Sequence, residues 1–148
     1  MAETPKEVLT RWFVSLWRNR EPIVIERTRT AGSTSRGLAA SPIVGVNAFQ
    51  AFYDRMSALI TETDVRFDWM VEEGETVAAH VTLTGKVRGQ PIEVVAAVFG
   101  RIVDGRLLES RNLVDVAGFV RQMGHGVPRD LTEALALVEA DAQARARA

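Results

Sequence analysis

From about residue 65 to residue 114 the hydrophobic pattern of the chain has a period of two, and only short polar connections interrupt it. Four strands are predicted, at roughly 65–71, 77–88, 91–103 and 106–114. They are joined by Glu72-Glu73-Gly74-Glu75, Arg88-Gly89-Gln90 and Asp104-Gly105. Asp-Gly between alternating segments is the strongest short-range hairpin signal, because both residues tolerate the positive φ of a tight turn. A parallel neighbour needs a crossover of about a dozen residues or more. None of these connections is long enough, so the segment is expected to fold as a four-stranded antiparallel meander.

Helices flank it. Thr4-Pro5-Lys6-Glu7 reads as a capping box with proline at the first helical position, where its missing N–H costs nothing. Val8, Leu9, Trp12, Phe13, Leu16 and Trp17 follow at helical spacing, and the helix is expected to stop near Arg20, ahead of Pro22. The two tryptophans suit the core or the wall of a ligand pocket. Ile23 to Thr30 fits either a short strand or a short helix started by Pro22, and the Gly/Ser/Ala-rich stretch Ala31 to Ser41 is expected to be a mobile loop. Asn47 is the expected cap of a second helix carrying Phe49, Phe52, Tyr53, Met56 and Ile60. Asp115 and Asp130 are expected to cap two more, the end of the last, Ala140 to Ala148, fraying or extending into solvent.

Composition narrows the function. The 148 residues carry 18 basic and 19 acidic side chains, a net charge of −1, which argues against nucleic acid as the main partner. Without cysteine there is no thiol catalysis, disulfide or cysteine metal site, and two histidines, His80 and His125, argue against a multi-histidine zinc centre. Neither a signal peptide nor a transmembrane run is read from the sequence, so a cytoplasmic protein is expected.

Three stretches carry a family resemblance: Val8-x-x-Arg11-Trp12-Phe13, then Val81-Thr82-Leu83-Thr84-Gly85, and above all the run from Asp104-Gly105-Arg106-Leu107 through Asn112-Leu113-Val114-Asp115 to Gly124. Over about residues 4–124 the chain resembles the SnoaL-like branch of the nuclear-transport-factor-2-like superfamily. Members of that superfamily include polyketide cyclases, limonene-epoxide-hydrolase-like enzymes and ketosteroid isomerases, and also proteins with no catalytic role. The resemblance implies an α+β conical fold, with N-terminal helices packed on a strongly curved antiparallel sheet that encloses an apolar pocket, and a C-terminal helix beyond it. It implies a SnoaL-like domain over 1–124 with a helical extension over 125–148. The partners it implies are a small hydrophobic substrate and a second copy of the chain bound through the outer sheet face; no cofactor is expected, and charge, hydropathy and the Cys and His counts leave no nucleic acid, membrane or metal expected.

Strand parity sorts the polar candidates. Val77, Ala79, Val81 and Leu83 share one face of their strand, and Ala78, His80, Thr82 and Thr84 the other; Ser110 and Asn112 alternate with Glu109 and Arg111. By resemblance, the face with His80, Thr82 and Asn112 lines the pocket, and Val94, Ala96 and Val98 form its apolar wall. The positions of an epoxide hydrolase's Asp–Arg–Asp set match Thr82, His80 and Asn112, so both carboxylates of that mechanism are absent. A ketosteroid isomerase's oxyanion acid matches Val98, and Tyr53 is the chain's only phenol.

His80 is therefore the expected proton-transfer group, since a desolvated imidazole stays neutral near pH 7. Asn112 is its expected hydrogen-bonding partner, able to fix its tautomer or donate to an oxyanion. The alternative is a structural His–Asn pair. Trp17, Tyr53, Trp69, Thr82, Val98 and Ser110 are the expected substrate contacts, with Val65, Phe67, Trp69 and Val71 read as one apolar face. Arg27 and Arg29 read as a solvated strand edge or as guards of the pocket mouth. Cyclisation or isomerisation of a polyketide- or terpenoid-like substrate is the expected activity; the alternatives are a non-standard epoxide hydrolase and a non-catalytic binding or dimerisation module.

Overall fold

The computed structural model describes residues 2–147. In chain order its elements are α1 (Pro5–Phe13), a π-helical turn (Val14–Arg18), α2 (Ile23–Thr28), β1 (Thr34–Arg36), β2 (Ile43–Val44), α3 (Gly45–Leu59), β3 (Thr61–Glu73), β4 (Thr76–Val87), β5 (Gln90–Val103), β6 (Arg106–Val114), α4 (Val116–Gln122) and α5 (Leu131–Ala146). Two compact units divide between Val114 and Asp115.

The first unit holds the sheet. Its strand order is β2-β1-β6-β5-β4-β3, so the expected meander β3–β6 is present and two short strands extend it past β6. β1 pairs parallel to β6, Ser35 beside Ser110, and antiparallel to β2. Part of the stretch expected to be a mobile loop, Thr34–Arg36, is thus a strand of the sheet, between β2 and β6. Its sequence hides this because three- and two-residue strands show no periodicity. Gly37 makes the close approach possible: at φ +89°, a Cβ there would lie 1.9 Å from the main-chain oxygen of Asn112.

The Thr4 capping box forms in both directions, and the α1 end of the chain is tied to β3 by Lys6 N–H donating to Glu72 Oε1 at 2.8 Å. Of the two readings of Ile23–Thr30, helix is correct, with Pro22 at its N-cap. Asn47 does not cap α3. That helix starts at Gly45 after Val44, with no side-chain cap bond, because Gly45 is fastened instead by its own N–H to Ser33 O at 2.8 Å.

α1 fixes which side of the sheet is covered. A Cβ on Gly100 would lie 3.6 Å from Leu9 Cδ1; Phe13 meets Phe67 edge-on at 5.8 Å; Thr10 reaches Met70. Register places Val77, Gly100 and Ser110 in one row and Ala79, Val98 and Asn112 in the next, all on this inner face. Val8, Leu9, Trp12, Leu16, Val77, Val81 and Val98 are buried there. The complementary row His80, Ala97 and Leu113 belongs to the outer face.

In the second unit Asp115 and Asp130 cap α4 and α5, their carboxylates accepting from Gly118 N and Glu133 N. Of the two readings of the end from Ala140, fraying or extension into solvent, the second describes it: the helix runs to Ala146 and its residues there are exposed. α5 has no buried residue, and Leu131, Leu135 and Val138 are exposed.

Candidate functional site

Two polar clusters stand out, one on each face of the sheet. On the inner side the focus is Asn112, half-buried and directly opposite Val98. Its Nδ2 donates to Arg36 O at 2.8 Å and to Ser110 Oγ at 3.3 Å. Ser110 donates to Ser35 Oγ at 2.9 Å, and Ser35 Oγ also receives Arg29 Nη1–H at 2.7 Å.

Arg29 is only 1% exposed. It is neither a solvated edge residue nor a guard at a mouth. Its guanidinium donates to the carbonyls of Gly45, Ser33 and Ile43 as well as to Ser35, and stacks 4.6 Å over the Phe49 ring. Burial lowers its pKa to about 10, which leaves it charged at neutral pH. The planar fork explains why arginine stands here: one side chain satisfies acceptors in both short strands and at the start of α3.

The outer cluster is built on a bulge. Phe67 pairs with Val81 and Trp69 with His80, so Asp68 is an extra residue in β3. The bulge breaks the expected alternation of Val65, Phe67, Trp69 and Val71. Val65 and Phe67 face inward, whereas Trp69 and Val71 are exposed on the outer face. Asp68 Oδ2 accepts from Thr82 Oγ1 at 2.8 Å and lies 2.9 Å from His80 Nδ1, while Oδ1 accepts from Arg66 Nε at 2.8 Å. Arg66 foremost, then Thr82 and His80, hold the Asp68 carboxyl well below the usual carboxylate range.

The sequence-derived residues therefore separate. His80 and Thr82 meet at Asp68 on the outer face. Asn112, Ser110 and Val98 lie together on the inner one. The expected His80–Asn112 partnership does not form, because in the aligned rows of β4, β5 and β6 the two residues have opposite parity. Trp17 and Tyr53 are buried against each other at 5.3 Å, and the Tyr53 hydroxyl donates to Leu16 O at 2.9 Å. Trp69 is 76% exposed.

Sequence reasoning missed Ser35 and Asp68 and set Arg29 at the surface rather than in the core. A bulge leaves no periodic signature, and nothing local distinguishes Ser35 from its loop-like neighbours. The charged alternation around Arg29 pointed to the surface. Away from both clusters, a groove of about 740 Å³ runs past Arg20, Glu21, Ile23, Glu26 and Gln50, and it holds none of the expected site residues. Among the described residues there is no cluster of three metal-ligating side chains, and no helix is long and apolar enough to cross a membrane.

A helix-covered, bent, mixed sheet with a polar anchor on its inner face defines the α+β cone class. The model of the SnoaL-like polyketide cyclase family matches residues 7–123, and the chain belongs to that family. Solved structures agree in fold. A protein assigned as a SnoaL-like polyketide cyclase from Jannaschia sp. CCS1 superposes with a TM-score of 0.72 at 20% identity, over 83% of this chain and 93% of that one. A protein of ketosteroid-isomerase-like fold from Catenulispora acidiphila, solved with trimethylamine, gives 0.71 at 20% identity over 85% and 100%. An LEH-like epoxide hydrolase from M. tuberculosis gives 0.68 at 15% over 92% and 96%. At these identities the likeness establishes the fold alone. No curated protein matches the sequence.

Proposed function

We propose that the chain is a cofactor-independent SnoaL-like enzyme, a cytoplasmic homodimer that cyclises or isomerises a hydrophobic, polyketide- or terpenoid-like substrate on the inner face of its sheet. The observation that carries this reading is the anchored Asn112 set in an apolar surface that includes Val98, Ala96 and Phe67. Val98 and Asn112 contact the substrate, Ser110 holds Asn112, and Trp17 with Tyr53 backs the wall. His80 and Asp68 lie across the sheet from that surface. Catalysis there accordingly rests on orienting a flexible, intrinsically reactive chain, an entropic contribution that reaches several kcal/mol in well-aligned intramolecular reactions, about 7–11 at best. The family match to residue 123 supports treating 1–124 as the SnoaL-like domain and 125–148 as an extension.

The outer face is assigned to the second copy. Trp69, Val71, Leu113 and Phe99 expose large apolar surface there, beside the His80–Asp68 pair, and such contiguous patches mark interaction sites.

Activity is tested by incubating the protein with a linear poly-β-ketone thioester and, separately, a terpene epoxide in oxygen-18 water. Cyclised product that forms faster with the wild type than with Asn112→Ala supports the proposal. Labelled diol without cyclisation replaces it with a hydrolase. Ligand binding without any product assigns a binding module.

A further inference from the structure

We infer that Asn112 offers its side-chain carbonyl, not its amide, to the occupant of the inner face, and so selects a ligand with a hydroxyl donor, phenolic or enolic, on an apolar framework. The inference rests on the reading of that face as the ligand-bearing one, and it follows from counting protons. Arg36 O carries no hydrogen, so the Asn112 atom 2.8 Å from it must be the amide nitrogen. The same nitrogen lies 3.3 Å from Ser110 Oγ. Ser110 sends its own proton to Ser35 Oγ, which leaves Ser110 an acceptor toward Asn112. Ser35 Oγ accepts from both Ser110 and Arg29 Nη1–H. An amide has two hydrogens, and both are spent. Oδ1 has no hydrogen bond among the described residues, and the side chain is only half-buried.

Rotating the amide by half a turn would set Oδ1 against Arg36 O, acceptor against acceptor, and would forfeit the Ser110 bond as well. The polarity is thereby locked by the Arg36 carbonyl, with Ser110 as the second acceptor and Ser35 and Arg29 as positioning residues behind it. A ketone or enolate oxygen placed at Asn112 meets lone pairs; a hydroxyl meets an acceptor. This reverses the oxyanion-donor role that the sequence alone suggests for Asn112.

Three matched probes test the selection: 2-naphthol, 2-methoxynaphthalene and 2-acetonaphthone, with affinities measured by calorimetry. Wild-type protein is expected to bind the naphthol about tenfold more tightly than either of the others, the ratio one net hydrogen bond supplies. In Asn112→Leu the ratio falls to near one. In Ser110→Ala the Asn112 amide nitrogen keeps Arg36 O, so the naphthol preference is expected to persist, and a switch toward the acetonaphthone would overturn the inference. Equal binding of the three probes to the wild type, or a naphthol preference that survives in Asn112→Leu, overturns the selection and leaves the ligand-bearing reading standing. Hydrogen exchange of the Asn112 side-chain amide reads the lock without any ligand: slow exchange of both protons is expected, and rapid exchange overturns the inference. A protected amide with no probe bound overturns the ligand-bearing reading, and the selection with it.

Discussion

The two faces of the sheet use polar chemistry in opposite ways. On the inner face a charge is buried so that a neutral group can be aimed: Arg29 is enclosed by carbonyls and hydroxyls, and the relay through Ser35 and Ser110 ends on Asn112. On the outer face the charges are left in reach of water. Asp68 pairs with Arg66 and hydrogen-bonds His80 among exposed Trp69, Val71 and Leu113. Inner polar groups are costly to strand, so they should dominate stability. Outer ones are screened, so they should matter for association and pH response.

The most direct way to break this contrast is Arg29→Ala. The truncation leaves the carbonyls of Ser33, Ile43 and Gly45 and the Ser35 hydroxyl without their donor in a buried setting. A loss of about 3–5 kcal/mol in denaturant unfolding is expected. Arg29→Lys should recover only part of it, since a single ammonium cannot match the fork. A loss below about 1 kcal/mol for the alanine variant would remove the inner hub from the account.

Gly37→Ala sharpens the same side. Its Cβ collides with Asn112 O and its φ of +89° is strained for any L side chain. About 1–3 kcal/mol should be lost, together with the slow amide exchange of Asn112. Retention of both would mean that β1 does not hold the asparagine.

Across the sheet, Trp69→Lys should leave unfolding nearly unchanged yet weaken self-association by about tenfold or more, ~1.4 kcal/mol, as loss of an aromatic anchor does. Sedimentation velocity over a concentration series reads this. A wild-type chain that sediments as a monomer throughout sinks the assignment of the outer face to a second copy.

How much of this was legible in the sequence follows from the range of the interactions involved. The β3–β6 meander, the Thr4 and Asp115 caps and the parity of each strand are local, set by period, turn residues and capping spacing. Parity within β4 and within β6 was read correctly. The phase between the two strands, which decides whether His80 and Asn112 share a face, is set by strand register and is invisible in either strand alone. The same holds for Asp68, whose bulge is defined only against β4, and for β1, whose neighbour β6 lies far off in sequence. Ser35 becomes a functional candidate, and Arg29 a buried one, only once β1 is placed.

The smallest expected effect carries a definite sign. Asp68 is held ionised by Arg66, Thr82 and His80, so its folded pKa lies below the unfolded value of about 3.9. Above that value both states are ionised, and the stabilisation from the three donors is fully present. As pH falls through about 3.9, the unfolded chain takes up a proton that the folded one refuses, and the stabilisation drains away until the folded carboxyl also protonates. Asp68→Asn has no such dependence, and its amide hydrogens face donors. The wild type should therefore melt modestly above Asp68→Asn at pH 7, by less than the Gly37 effect because the cluster is screened by water, and this margin should shrink below about pH 4. A margin that stays constant between pH 7 and pH 3 would show that the outer carboxylate is held by shape rather than by charge, and the contrast between the two faces would lose its electrostatic half.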